Sequence, residues 1–118
     1  MRTICTVLIL AAGLSGPAVA AEAPAGGAWL DCSVATIAAY RDRLIVSCAA
    51  STLQGGGAAP REFAIEAMGP LTDPVLRLAM AAKSGARPLA ILYVKDPAAN
   101  PPGCPADGCR RIAAVELK

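Results

Sequence analysis

The stretch DCSVATIAAYRDRLIVSCAA, residues 31–50, decides the predicted fold. Two apolar runs with strand-like alternation flank the polar segment YRDR at residues 40–43, and each run carries one cysteine, Cys32 or Cys48. This pattern predicts a β-hairpin whose turn lies in the polar segment. Since the midpoint between the two cysteines is Tyr40, within that segment, we expect the cysteines to face each other across the hairpin and to form a disulfide bond.

The first strand of this hairpin does not alternate perfectly. Cys32 and Val34 share one face, but the next large apolar residue, Ile37, comes three positions after Val34. A β-bulge or a strong bend between these positions would return Ile37 to the same face. The sequence therefore predicts a first strand that is bent near Val34.

Outside the hairpin, alternation and turn residues predict three more strands and one helix. Glycine and proline separate these segments, most clearly in the loop STLQGGGAAP at residues 51–60. The predicted strands cover residues 30–39, 43–50, 61–68, 88–94 and 110–117, and the helix lies in LTDPVLRLAMAAKSGARP, residues 71–88. The chain is therefore predicted to be mainly β with one α-helix.

The predicted helix has recognisable ends. Asp73 is the expected N-cap, with Thr72 as the alternative, and Pro74 suits the first helical position because it lacks an N–H. Gly85 is expected to end the helix in the left-handed conformation. The predicted apolar face consists of Val75, Leu76, Ala79, Met80 and Ala82.

The predicted order is strand, strand, strand, helix, strand, strand, which is the order of the OB-fold, a five-stranded Greek-key barrel. We therefore expect an OB-fold-like five-stranded barrel, and a bent first strand suits the closure of such a small barrel. An open antiparallel sheet with the helix packed on one face is the alternative.

The N-terminal segment MRTICTVLILAAGLSGPAVAA has the layout of a secretory signal peptide: one basic residue, an apolar run, a helix-breaking Ser-Gly-Pro and a small-residue cleavage site. The apolar run is shorter than the about 20 residues that a spanning helix needs, so we expect no membrane span. Cleavage is expected after Ala20 or Ala21. The predicted organisation is a signal peptide at 1–20, a flexible lead-in at 21–28 and one domain at 29–118, exported to the periplasm or the cell exterior.

Cleavage removes Cys5 and leaves four cysteines, an even number that is typical of disulfide bonds in a small exported chain. Cys104 and Cys109 flank a turn and are expected to pair with each other, which leaves Cys32 for Cys48. The chain has no histidine, and neither cysteine spacing is that of a common zinc site. We therefore expect no metal and no cofactor.

Composition argues against catalysis and against nucleic acid. Without histidine the common catalytic triads are absent, and the acidic residues are scattered along the chain. Without Arg2, ten of the 11 Lys and Arg residues remain against nine acidic residues, which does not favour a polyanionic partner. Few aromatic residues are available to stack on bases, and of these Phe63 is expected in the core and Tyr93 half-buried.

An OB-like fold predicts where a ligand binds. The expected surface includes the loops that join strands one to two and four to five. Proline and a disulfide bond stiffen the second loop, and stiff loops lose less entropy on binding. The candidate ligand-binding residues are Tyr40, Arg41, Arg43, Lys95, Asp96, Asn100 and Arg110.

With these elements in place, the chain resembles the binding subunits of AB-type toxins, such as those of subtilase cytotoxin and typhoid toxin, which are small exported OB-fold proteins. The shared features are the size, a cysteine pair joining early strands, a late pair at Cys104 and Cys109, and the helix PVLRLAMAAKSGARPLAILYV, residues 74–94, that runs into a strand. The resemblance covers most of residues 29–117. It implies a non-catalytic binding role and assembly into a ring of subunits, and no sugar-binding residue is carried over.

The expected function is that of an exported, non-enzymatic binding module. Its partner is an unidentified protein or glycan, and the sequence is compatible with a homo-oligomer. A cell-envelope enzyme or enzyme inhibitor is one alternative. An OB-type oligonucleotide binder, which the charge and the few aromatic residues disfavour, is the other.

Overall fold

The computed structural model describes residues 26–118, and the predicted signal peptide at residues 1–20 lies outside this range. The described chain forms β1 (Gly27–Ala39), β2 (Arg43–Leu53), β3 (Glu62–Glu66), α1 (Thr72–Gly85), β4 (Leu89–Val94) and β5 (Cys109–Leu117). A short 3-10 helix, Pro97–Ala99, lies between β4 and β5. This part of the chain is therefore mainly β with one α-helix, in the predicted order.

The five strands form a ring of pairings in the order β1-β2-β3-β5-β4, and β4 pairs with β1 to complete it. Neighbouring strands are antiparallel except β3 and β5, which run parallel from the pair Glu62 and Cys109 onward. Each strand therefore has a neighbour on both sides, unlike the edge strands of the open sheet that was the alternative prediction.

The predicted irregularity in the first strand, a bulge or a bend near Val34, is confirmed as a shift in strand pairing. The pairing of β1 with β2 shifts register between Ser33 and Val34 and again between Val34 and Thr36. Before these shifts, β1 also pairs with β4, from Gly27 to Cys32. A bulge bends a strand and increases its twist, so these shifts let one long strand contact both neighbours in the ring.

Both predicted cysteine pairs form disulfide bonds, but the expected register of the hairpin is wrong. Cys32 lies opposite Ser51, and Cys48 lies opposite Val34. The turn is centred later than Tyr40, because the Tyr40 N–H donates to the Arg43 carbonyl at 2.7 Å. The pairing is irregular between these two cysteines, at Val34 and Cys48, and the Cα atoms of Cys32 and Cys48 lie 5.4 Å apart, within disulfide range.

Several strand boundaries differ from the predicted ones. Gly27 and Ala28, assigned to the lead-in, belong to β1 because they pair with β4. The predicted loop at 51–60 begins later, since β2 continues to Leu53, which pairs with Leu30. These residues have weak strand signals of their own, and their conformation follows from the neighbouring strand.

The ends of α1 also differ from the prediction. The N-cap is Leu71, which makes no side-chain capping bond, and the Thr72 hydroxyl instead donates to the Glu66 carbonyl at 2.8 Å. Asp73 pairs with Arg77 at 3.1 Å rather than capping the helix. The left-handed residue at the C-terminus is Ala86, at φ 53°, and not Gly85.

The core lies inside the ring and is closed on one side by α1. The helix contributes Val75, Ala79 and Ala82, whereas Met80, predicted on the apolar face, is 54% exposed. Phe63 is buried as predicted. Tyr93, expected to be half-buried, is only 6% exposed, because its ring packs 5.7 Å from that of Phe63. No helix within residues 26–118 is long and apolar enough to span a membrane.

Candidate functional site

The two loops predicted to bind a ligand meet at Arg43. Its guanidinium lies 4.1 Å from the centre of the Tyr40 ring and pairs with Asp42 at 2.8 Å. The guanidinium also lies against Gly103 in the second loop. It is so close that a Cβ atom on this glycine would overlap it. Arg43 therefore joins the loops, with a cation–π contact on one side and a glycine on the other.

The second loop covers the outer surface of β2 and β3. Ala64 on β3 is fully buried there together with Cys104 and Cys109, and Ile45 on β2 packs against the same cluster. The OB-fold prediction would place the ligand-binding face on the surface of these strands. Here the chain's own disulfide-bonded loop lies over it.

Three of the predicted site residues hold the backbone of this loop. The Asn100 amide donates to the carbonyls of Cys104 and Cys109, at 3.1 and 2.9 Å. Arg110 donates to the Ala106 and Cys109 carbonyls, and the Asp96 carboxylate accepts from the Ala98 N–H at 3.0 Å. Asn100, Arg110 and Asp96 thus make contacts within the loop that fix its conformation.

One ion pair that the sequence did not predict ties the loop to the ring. Arg111 on β5 pairs with Glu66 on β3 and donates to the Ala99 carbonyl. The hydrogen bond from Arg111 is the main cause that lowers the pKa of the Glu66 carboxyl below its ordinary value. The parallel pairing of β3 with β5 brings these residues together, and no local sequence signal reveals it.

The other two predicted residues lie apart from this contact. Arg41 is exposed at the hairpin turn. Lys95 follows β4 beside the start of β1, where its N–H donates to the Gly26 carbonyl at 2.7 Å. The structure therefore brings Tyr40 and Arg43 together with the second loop and places Lys95 at a different surface.

Lys95 lines a cleft that Trp29 also borders, and Trp29 is the centre of a further surface. Leu30 and Cys32 point into the core, so the alternate residues Trp29 and Asp31 lie on the outer face of β1. The pairing of strands builds two rows across this face. One row consists of Trp29, Leu92 and Ala114, and the next consists of Asp31, Ala90 and Glu116.

Polar side chains surround Trp29 on this face. The Asp31 carboxylate accepts from the Lys118 ammonium at 3.3 Å and from the Gln54 amide at 3.5 Å. We call these residues the Trp29 surface: Trp29, Asp31, Gln54, Glu116 and Lys118. All of them except Asp31 line a cleft of about 470 Å³.

A second cleft borders the same indole. It has a volume of about 360 Å³ and is lined by Ala28, Trp29, Leu53, Gln54, Gly55, Gly56, Tyr93 and Lys95. The predicted domain begins at residue 29 and the predicted first strand at residue 30, so Trp29 was not assigned to a strand face. Its alternation with Leu30 and Cys32 was the signal that could have placed it on the outer face.

The chain matches no protein-family model, and no curated protein or solved structure is significantly similar to it. Among residues 26–118, no three His, Cys, Asp or Glu side chains are grouped so that they could hold a metal ion. The chemistry that the Trp29 surface offers is an indole face, two carboxylates, an amide and an ammonium group.

Proposed function

We propose that this protein is an exported, non-enzymatic binding module built on an OB-type barrel. The ring order β1-β2-β3-β5-β4, the parallel pair of β3 with β5 and the position of α1 between β3 and β4 support the barrel. The predicted signal peptide and the two disulfide bonds support export to the periplasm or the cell exterior.

The Trp29 surface carries the proposal. An indole there borders two clefts, of about 360 and 470 Å³. The predicted loop surface, in contrast, uses its polar groups on itself and covers β2 and β3. We therefore propose the Trp29 surface, in place of the loops, as the ligand-binding surface.

Rigidity favours binding at this surface. Cys32, which lies three residues from Trp29 on β1, is fully buried and is linked to Cys48 on β2. A surface that is held in place before binding loses less entropy when a ligand arrives. The early disulfide bond thus supports a preorganised site on β1.

The oligonucleotide alternative loses support from the aromatic residues. Phe63 and Tyr93 are buried and cannot stack on bases, which leaves Trp29 and Tyr40, and the Tyr40 ring already contacts the Arg43 guanidinium. The resemblance to toxin binding subunits stays a prediction, and we retain from it a non-catalytic binding role and assembly into a ring of subunits.

The experiment is a thermal-shift screen of the mature protein against amines, lysine peptides, oligosaccharides and single-stranded oligonucleotides. A ligand that binds only the folded state raises Tm in proportion to its concentration and affinity. Trp29→Leu is expected to abolish the shift, and Tyr40→Leu, which changes the loop surface, is expected to retain it. Mass spectrometry of the recovered ligand should find it chemically unchanged.

Two results contradict the proposal. A ligand that is converted to a product during incubation would identify the chain as an enzyme. A thermal shift that survives Trp29→Leu but disappears with Tyr40→Leu would return the binding site to the loops.

A further inference from the structure

We propose that the smaller of the two clefts beside Trp29 binds a small organic anion, whose apolar part lies against Trp29 and whose charged group lies between the Tyr93 hydroxyl and the Lys95 ammonium. We call it the Tyr93 cleft; its volume is about 360 Å³. The inference rests on the proposed function, in which Trp29 borders the ligand site, and it adds the cleft that is used and the chemical class of the ligand.

The Tyr93 cleft lies at the end of the ring where β1 begins and where β2 and β4 end. Ala28 on β1 pairs with Tyr93 on β4, and both of these residues and Leu53 on β2 also contact the core. The helix α1 leads into the start of β4, at the opposite end. The cleft is therefore an opening beside the core that α1 does not cover.

The Tyr93 hydroxyl is the observation that points to a ligand. Tyr93 is only 6% exposed, and within residues 26–118 its hydroxyl forms no hydrogen bond. The hydroxyl is also not one of the fully enclosed polar atoms that lack a partner, so it keeps some access to the outside. Since Tyr93 lines the cleft, the hydroxyl is reached from there. A phenol that is buried in this way usually has a hydrogen-bond partner, and a ligand in the cleft supplies one.

Lys95 gives the cleft a positive charge. The Lys95 N–H donates to the Gly26 carbonyl at 2.7 Å, which fixes the backbone beside the start of β1, and the Lys95 side chain lines the cleft. None of the residues that line the cleft is acidic. The neighbouring Asp96 carboxylate accepts from the Ala98 N–H in the second loop instead. The cleft thus contains one ammonium group and no carboxylate.

These groups favour an anion over a cation or a neutral compound. A phenol hydroxyl can donate one hydrogen bond and an ammonium group can donate three, and bonds to an ionised acceptor are stronger than bonds between neutral groups. The acidic residues of the Trp29 surface do not oppose the anion inside the cleft. The Asp31 carboxylate already contacts the Lys118 ammonium at 3.3 Å, and Glu116 lines the other cleft.

The rest of the cleft suits an apolar group. Trp29, Leu53 and Ala28 supply its apolar surface. Gly55 and Gly56 belong to the loop after β2, and a Cβ atom on either of them would meet no other atom within 4 Å. The loop therefore borders the cleft without filling it, and an alkyl or aryl group can lie against the indole.

Two classes of compound supply this chemistry: carboxylates and phosphate monoesters that carry an apolar group. Hexanoate represents the first and hexyl phosphate the second. Hexylamine has the same chain with the opposite charge, and acetate has the charge without the chain. Each compound is titrated into the mature protein at matched ionic strength. Because Trp29 is the chain's single tryptophan, tryptophan fluorescence reports on this cleft and its border, and Tm detects binding that leaves the fluorescence unchanged.

The expected result is saturable binding of at least one of the two hexyl anions, with much weaker binding of hexylamine and acetate. The anion with the lower Kd identifies the class. Tyr93→Phe, which removes only the hydroxyl, should weaken binding about tenfold, and Lys95→Met should weaken it about two- to fivefold. Tyr40→Phe and Lys83→Met remove the same groups from exposed positions elsewhere and should leave Kd unchanged.

Three results overturn the inference. The first is the absence of saturable binding of both hexyl anions by fluorescence and by Tm. The second is hexylamine binding as tightly as the anions, and the third is an equal Kd for Tyr93→Phe and the native protein. An equal loss with Lys83→Met and Lys95→Met also rejects it, since binding would then depend on overall charge. If the anions fail while a ligand from the thermal-shift screen still requires Trp29, the proposed function stands and the anion inference fails.

Discussion

The guanidinium of Arg43 occupies the space that a side chain at Gly103 would need. Gly103 has a φ of 78°, so its backbone also adopts a conformation that L side chains rarely take. Through this contact the hairpin turn after β1 holds the long loop between β4 and β5 against the ring.

Gly103→Ala should destabilise the fold by about 1–3 kcal/mol, because the backbone is strained at a φ of 78° and the Arg43 guanidinium must also move from its contacts. Urea denaturation measures the change. Gly108→Ala is the matched control, since Gly108 also has a positive φ, 102°, but a Cβ there meets nothing within 4 Å. The loss should be smaller in that control, and in an Arg43→Ala background Gly103→Ala should retain only the strain component. Equal losses at Gly103 and Gly108 would contradict the contact.

The two disulfide bonds should contribute unequally. In the chain-entropy relation, closing the loop between Cys32 and Cys48 stabilises by about 3 kcal/mol and closing the shorter one between Cys104 and Cys109 by about 2 kcal/mol. The first bond also lies in the main core, so replacing both of its cysteines by alanine should cost more than the same change in the second. Denaturant midpoints of the two double variants test this order, and the reverse order would count against it.

The ion pair between Glu66 and Arg111 should make stability depend on pH. The folded-state pKa of Glu66 is lowered relative to the ordinary value of 4.5, so its contribution is complete above that pH and is lost as pH falls through the folded-state pKa. Since the Glu66 side chain is 43% exposed, we expect a contribution of only about 0.2–1 kcal/mol.

The measurement compares native protein with Glu66→Gln in urea at several pH values. The difference in unfolding free energy should be largest near neutral pH and should shrink below pH 4.5. Glu62→Gln, on the same strand, serves as the control for loss of one carboxylate. A difference that grows on acidification would refute the assigned direction.

The helix should tolerate change on one face only. Val75 is fully buried, and Val75→Ala should cost about 2 kcal/mol through lost burial and a residual cavity. Met80, on the exposed face, should tolerate Met80→Ala within about 0.5 kcal/mol. Thermal unfolding of the two variants checks this; a large loss at Met80 would mean that its surface is covered in the native protein.

Local sequence patterns were sufficient to predict much of the fold. Alternation predicted five strands, and the interruption after Val34 predicted the bulge, because side-chain direction in a strand depends only on neighbouring residues. Cysteine count and turn residues predicted both disulfide bonds. The N-terminal end of the helix was mispredicted: Thr72 bonds to the end of β3 and does not cap the helix.

Local sequence patterns were insufficient to predict what the side chains of the loop site contact. The sequence placed Asn100 and Arg110 correctly in or beside the second loop but could not show that they bond to the loop's own carbonyls. The contact of Gly103 with Arg43 joins residues that are distant along the chain. Such contacts exist only after the ring has brought the loop over β2 and β3.

The sequence by itself determined that Cys32 and Val34 share one face of a strand, since alternation is a property of the strand alone. Only the tertiary structure placed Glu116 across Ala90 from Asp31 and brought Lys118 to the Asp31 carboxylate. Backbone hydrogen bonds between strands are almost independent of sequence, so the pairing register is fixed by which apolar residues the whole ring can bury together.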